Sequence, residues 1–203
     1  MSTLQTAEVL QSPWEGRSCF GTGWHKLMMW VFIITDGLVF AGFLAAYGFL
    51  RMASPTWPDR SRIFHLEFIA VMTFILITSS ATMACAVGAA RLGRRARARQ
   101  FILLTVLGGL AFLGMQAYEW TKLITAGASM SSNPWGPPLF GASFFTITGF
   151  HGAHVLSGVT LLSIVAIRLA LGRTRAEGVE LAGLYWHFVD LVWVFVFTLF
   201  YLV

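Results

Sequence analysis

Apolar residues in this chain gather into five long runs separated by short polar connectors. The runs cover approximately 27–50, 66–90, 101–123, 139–168 and 182–203. Each can cross roughly 30 Å of hydrocarbon, which takes about 20 helical residues. Barrel-type alternation of period two is absent from the runs. A backbone left unpaired in lipid is too unfavourable to persist, so the spans are predicted to be α-helices. The connectors carry helix breakers. One is Ser54-Pro55-Thr56-Trp57-Pro58-Asp59, and another runs from Ser131 to Pro138 with Asn133-Pro134 and Pro137-Pro138 inside it. The stretch from Arg91 to Arg99 is densely basic and reads as a third. Neither an internal repeat nor a soluble domain is visible. The expected fold is all-α: an integral membrane bundle of five transmembrane helices over 27–203, following a cytoplasmic N-terminal tail over 1–26. That tail lacks an apolar signal segment, so the first span is expected to insert the chain itself.

Composition supports this class and excludes another. Of 203 residues, 57% are hydrophobic and 11% charged, whereas a soluble domain carries roughly 25% charged residues. The net charge of +5 would suit nucleic acid. The positive charges lie in short loops between apolar spans, however, which is the topology signal of membrane proteins and leaves no solvated basic face for phosphate contacts. Arg17, Lys26, Arg91, Arg94, Arg95, Arg97, Arg99, Arg168, Arg173 and Arg175 fall on one side, and Arg51, Arg60, Arg62 and Lys122 on the other. This asymmetry puts the N-terminus in the cytoplasm and, after five spans, the C-terminus outside. Arg91, Arg94, Arg95, Arg97 and Arg99 then meet lipid headgroups, where anionic lipid stabilises each by about 1 kcal/mol. Trp24, Trp57, Trp135, Tyr185 and Tyr201 are expected at the membrane interfaces. Cys19 and Cys85 show no metal or redox spacing and read as plain small residues.

Ionisable residues at membrane depth are costly, so each needs a reason. Asp36 lies about ten residues into the first span, roughly 15 Å deep at 1.5 Å per residue. His151 lies near the middle of the fourth span, and His154 shares its face at i+3. His187 and Asp190 repeat that spacing in the fifth. Glu119 and Glu67 fall closer to an interface. One reading has these groups pairing across the bundle as a polar framework, Asp to His. The other has His151, His154, His187 and Asp190 holding iron or zinc, or His154 and His187 holding a haem. Asp36 has no charged neighbour within a turn of its own helix. It reads as a neutral, hydrogen-bonded acid or as a proton-exchanging or lipid-associated site. Gly149, Ala153 and Ser157 form a small-residue stripe on the fourth span, away from its histidines, so that span is expected to be central.

Three stretches carry a family resemblance. Thr148-Gly149-Phe150-His151-Gly152-Ala153-His154-Val155 resembles the TGFHGxHV signature of subunit III of haem–copper oxidases. Tyr185-Trp186-His187-Phe188-Val189-Asp190-Leu191-Val192-Trp193 resembles the signature of that subunit's last helix. Gln116-Ala117-Tyr118-Glu119-Trp120 is similar to its QAYEY stretch, in the same order and separation. Trp30 to Tyr47 looks like the family segment that carries a membrane carboxylate. The resemblance covers about 27–203 and is to the five-helix form of the family. It implies an accessory subunit with no redox centre, bound to a subunit I that holds haem and copper, together with subunit II. It also implies bound phospholipids, protection of the catalytic subunit during turnover, and support of proton uptake in a bacterial plasma membrane. Many cytochrome c oxidase relatives have Glu where this chain has Asp36. Asp there is more like the quinol-oxidising branch or accessory subunits of nitric oxide reductase clusters. The electron donor, cytochrome c or quinol, stays open. Two rival classes are a free-standing membrane metalloenzyme and a proton-coupled transporter using Asp36. Against the transporter, paired helix breaks and an inverted repeat are not evident.

Overall fold

The structure is a computed structural model that describes residues 23–202, apart from the side chains at positions 61 and 62. Most of the tail expected over 1–26, with Arg17 and Cys19, lies outside the described residues. All elements among the described residues are helical: α1 (Trp24–Ala53), the short α2 (Arg60–Ile63), α3 (Leu66–Arg91), α4 (Arg95–Thr125), α5 (Pro138–Ala170), α6 (Ala176–Phe197) and a π-helical turn, Thr198–Leu202. The five long helices are each apolar and long enough to cross a membrane. They outrun the apolar runs at most ends because a helix continues into the headgroup layer. The clearest case is α4, which starts at Arg95. Arg95, Arg97 and Arg99 are therefore helical, and the expected connector over 91–99 shrinks to Leu92–Arg94. Arg and Ala both favour helix, and charged side chains are well solvated at headgroup depth.

Helix ends follow one recipe at three places. Gly93, Gly127 and Gly172 have φ of 73°, 96° and 69°, a left-handed conformation that glycine adopts without a Cβ clash. In each case the glycine N–H and the next residue's N–H bond back to carbonyls of the last turn, such as Gly93 to Ala90 and Arg94 to Ala89. This is the Schellman closure, and it satisfies carbonyls that would otherwise be orphaned.

In the bundle, α3 packs on α4 and α6, α4 on α5, α5 on α6, and α1 leans on α5 and α6. The most enclosed helix is α6, not the fourth span α5. Large aromatic side chains account for this. Trp186 and Trp193 of α6 are both fully buried, and each indole N–H needs an acceptor where water is absent. Trp186 Nε1 donates to Ser79 Oγ at 3.1 Å, and Trp193 Nε1 donates to Thr73 Oγ1 at 3.0 Å. Both acceptors are on α3, so the two bonds fix the antiparallel register of α3 and α6. The Trp186 ring also fills the space over two glycines. A Cβ on Gly109 of α4 would stand 2.6 Å from the indole tip and 2.7 Å from Val159 of α5. A Cβ on Gly158 of α5 would stand 2.9 Å from the same ring. The small-residue stripe does less than expected. Gly149 sits against Trp120, but Ala153 is exposed.

Gly109→Ala is therefore expected to destabilise the bundle by about 1–3 kcal/mol through overpacking. Gly114→Ala, on the same helix with nothing within 4 Å of its added Cβ, should not. Unfolding midpoints in detergent compare them, and equal midpoints would contradict the close approach at Trp186.

Candidate functional site

Asp36 lies near the middle of α1 and His154 near the middle of α5, so two helices that lean on each other bring them to the same depth. Asp36 Oδ2 stands 3.2 Å from His154 Nε2, with side-chain exposures of 12% and 16%. The contact is within ion-pair reach, but Oδ2 has no aligned hydrogen bond. The other ring nitrogen settles the tautomer. Nδ1 lies 2.8 Å from the Phe150 carbonyl, which only accepts, so Nδ1 carries a proton. Nε2 is then the nitrogen that faces the carboxylate, so a polar group on α5 stands against the acid of α1 at a depth where an isolated carboxylate would be costly. Phe40 and Phe150 pack edge-on against the His154 ring, with centroids at 5.3 and 4.6 Å. The carboxylate that lacked a partner on its own helix thus finds one across the bundle.

The other polar residues reach separate partners. His187 Nδ1 lies 2.6 Å from Ser80 Oγ on α3. That hydroxyl also faces Asp190, one turn along α6, without strict hydrogen-bond geometry to it. His151 is 0% exposed and boxed by rings, with Trp193, Phe112 and Phe40 centroids at 5.1, 5.8 and 6.4 Å. Its two ring nitrogens and both Asp190 oxygens have no protein hydrogen-bond partner. Glu119, expected near an interface, lies six residues from the end of α4 and is buried in the bundle, where the hydroxyl of Tyr201 on the π-helical turn donates to Glu119 Oε2 at 3.1 Å. Tyr201 and Tyr185 are buried in the bundle; the Tyr185 hydroxyl meets Ser157 on α5. Glu67 is exposed.

This geometry does not suit a metal or haem held by the named residues. Among the described residues, no group of three His, Cys, Asp or Glu is close enough to hold a metal ion. His154 has both nitrogens engaged, and His187 turns Nδ1 toward α3. At the arginine-rich end, Glu180 of α6 bridges Lys26 of α1 and Arg91 of α3, with Arg91 Nη2 at 2.9 Å. Arg94, Arg95, Arg97 and Arg99 are exposed.

Comparison with known proteins decides the family. The family model for cytochrome c oxidase subunit III matches residues 17–203. The chain belongs to that family. It is 33% identical to the cytochrome c oxidase subunit 3 of Alkalihalophilus pseudofirmus over 194 residues, covering 93% of this chain and 88% of the relative. It is 35% identical to that of Corynebacterium diphtheriae over 179 residues, 85% of each. It is 34% identical to the cytochrome bo(3) ubiquinol oxidase subunit 3 of Pseudomonas aeruginosa over 176 residues, 85% of this chain and 82% of the relative. As a subunit III of a terminal oxidase, it is a multi-pass membrane protein with a role inside an oxidoreductase complex. Within this subunit III, the sequence pointed to the ionisable residues at mid-membrane and named Tyr201 as an interface aromatic, but it did not show Glu180, the α3 hydroxyls such as Ser80, or Tyr201 as the partner of Glu119. The available signal was the heptad separating Trp186 from Trp193, two donors on one face that demand acceptors.

A double-mutant cycle tests the central pair. Asp36→Asn and His154→Gln should each destabilise the protein, and the double variant should lose less than the two single losses combined, with a coupling of about 1 kcal/mol or more. Strict additivity of the unfolding free energies would contradict the pairing.

Proposed function

We propose that this chain is an accessory, non-catalytic subunit III that binds phospholipid, stabilises the catalytic subunit and supports proton uptake in a proton-pumping haem–copper oxidase. The complex reduces oxygen to water with electrons from cytochrome c or quinol; relatives named for both donors match the chain. Haem and copper belong to the partner subunit I, which assembles with this chain and subunit II. The complex sits in a bacterial plasma membrane, with the N-terminal tail in the cytoplasm, the C-terminus outside, and the membrane domain spanning 27–203.

The observation that carries the reading is the Asp36–His154 pair. It sits at mid-depth on α1, the least enclosed of the five spans. A histidine–carboxylate contact at that position, on the lipid side of the bundle, suits a group that exchanges protons or holds a lipid beside the catalytic subunit. Glu119, His151, His187 and Asp190 form the polar framework around it, in which Glu119 bonds Tyr201 and His187 bonds Ser80 of α3. Arg91, Arg94, Arg95, Arg97 and Arg99 anchor the cytoplasmic end to anionic headgroups.

Turnover lifetime is the test. Oxidase lacking this chain should start at a near-normal rate and then inactivate after about tenfold fewer turnovers, equivalent to about 1.4 kcal/mol of barrier. Asp36→Asn should assemble normally and fall between the two. An oxidase with an unchanged lifetime in the absence of the chain would contradict the proposal.

A further inference from the structure

At the end of the bundle opposite the arginine-rich loops, the chain builds a pocket of about 250 Å³. Its walls come from four helical elements and one connector. Tyr47 and Arg51 lie in the last two turns of α1, Trp57 to Asp59 in the connector, and Arg60 at the start of α2. Phe140 and Phe200 close it from the first turn of α5 and the π-helical turn. The pocket is held in shape by packing. Tyr47 packs on Phe200 with rings tilted by 33° and centroids at 4.0 Å, and Trp57 meets both Tyr47 and Phe140 edge-on at 5.7 Å. Pro58 packs against Gly136 of the second breaker-rich connector, where an added Cβ would stand 2.9 Å from it.

The chemistry inside is that of an anion site. Arg51 and Arg60 line the pocket together with Tyr47 and Trp57. Arg60 Nη1 is buried without a hydrogen-bond partner, and a buried guanidinium N–H left unpaired is expensive. Asp59 supplies one negative charge at the same pocket. Two guanidiniums against one carboxylate leave a net single positive charge, the complement of a phosphodiester. Guanidinium donors in a fixed fork, with a phenol and an indole beside them, match the several acceptor oxygens of a phosphate. Depth agrees as well. The 30 residues of α1 extend about 45 Å at 1.5 Å per residue, beyond roughly 30 Å of hydrocarbon, so Arg51 stands at headgroup level.

We propose that Arg51, Arg60, Tyr47 and Trp57 form a binding site for a phosphate group, that of an anionic phospholipid headgroup or of free phosphate. The site extends the lipid-binding part of the function proposed above to the other end of the bundle. It uses none of the residues invoked there, so either can fail alone.

The test is native mass spectrometry of the full chain, stripped of lipid in detergent and titrated with phosphatidylglycerol or with inorganic phosphate. The wild-type chain should hold one phosphatidylglycerol about tenfold more tightly than Arg60→Gln, the loss expected for one charge-assisted contact of about 1.4 kcal/mol. Arg60→Lys, which keeps the charge, should recover part of that loss and guards against a folding artefact. If inorganic phosphate binds the wild-type chain and not Arg60→Gln while the lipid shows no difference, the same site takes the free ion. Equal binding of both probes to wild-type and Arg60→Gln would overturn the proposal.

Discussion

The packing of Trp186 sets the spacing of four of the five spans. Its indole N–H must find an acceptor where water is absent, and Ser79 of α3 provides it. Its ring must find room, and Gly109 of α4 and Gly158 of α5 provide that. A single side chain therefore ties α6 to three neighbours through one hydrogen bond and two close approaches. Trp193 repeats the bond to α3 one heptad later, at Thr73. With the register of α3, α4, α5 and α6 fixed in this way, Ser80 falls opposite His187 and the Trp193 ring closes over His151.

The fifth long helix, α1, is held differently. It leans mainly on α5 and α6 and presents most of its length outward, with Trp30, Val31, Phe32, Ile34 and Leu38 exposed. Its polar tie at mid-depth is Asp36 to His154. At the arginine-rich end, Lys26 shares Glu180 with Arg91. An outward apolar helix is matched to lipid or to an apolar partner within the membrane.

Much of this was legible in the sequence. Five apolar runs, their helical nature and the breaker-rich connectors follow from the length of the runs and the absence of water in the bilayer, and these constraints leave few alternatives. The family was legible because its signatures contain Trp186, His151, His154 and Asp190, residues that do specific work in the fold. Partners were not legible. A helix that is apolar all round shows no face by periodicity, so the greater enclosure of α6 over α5 could not be read. Asp36 looked unpaired because its partner lies on another helix. The partner of Glu119 could not be read because the π-helical turn that brings Tyr201 to it has no pattern in one sequence. Arg95, Arg97 and Arg99 read as loop because charge marks the edge of the hydrocarbon and not the end of the helix.

The most direct measurement is purification in mild detergent through a tag on this chain, with an optical spectrum and peptide identification of what accompanies it. The account predicts a large subunit bearing haem and copper in the eluate, reducible by cytochrome c or by quinol, with no chromophore left on this chain after it is separated. A chain that elutes alone carrying its own iron or haem would contradict it.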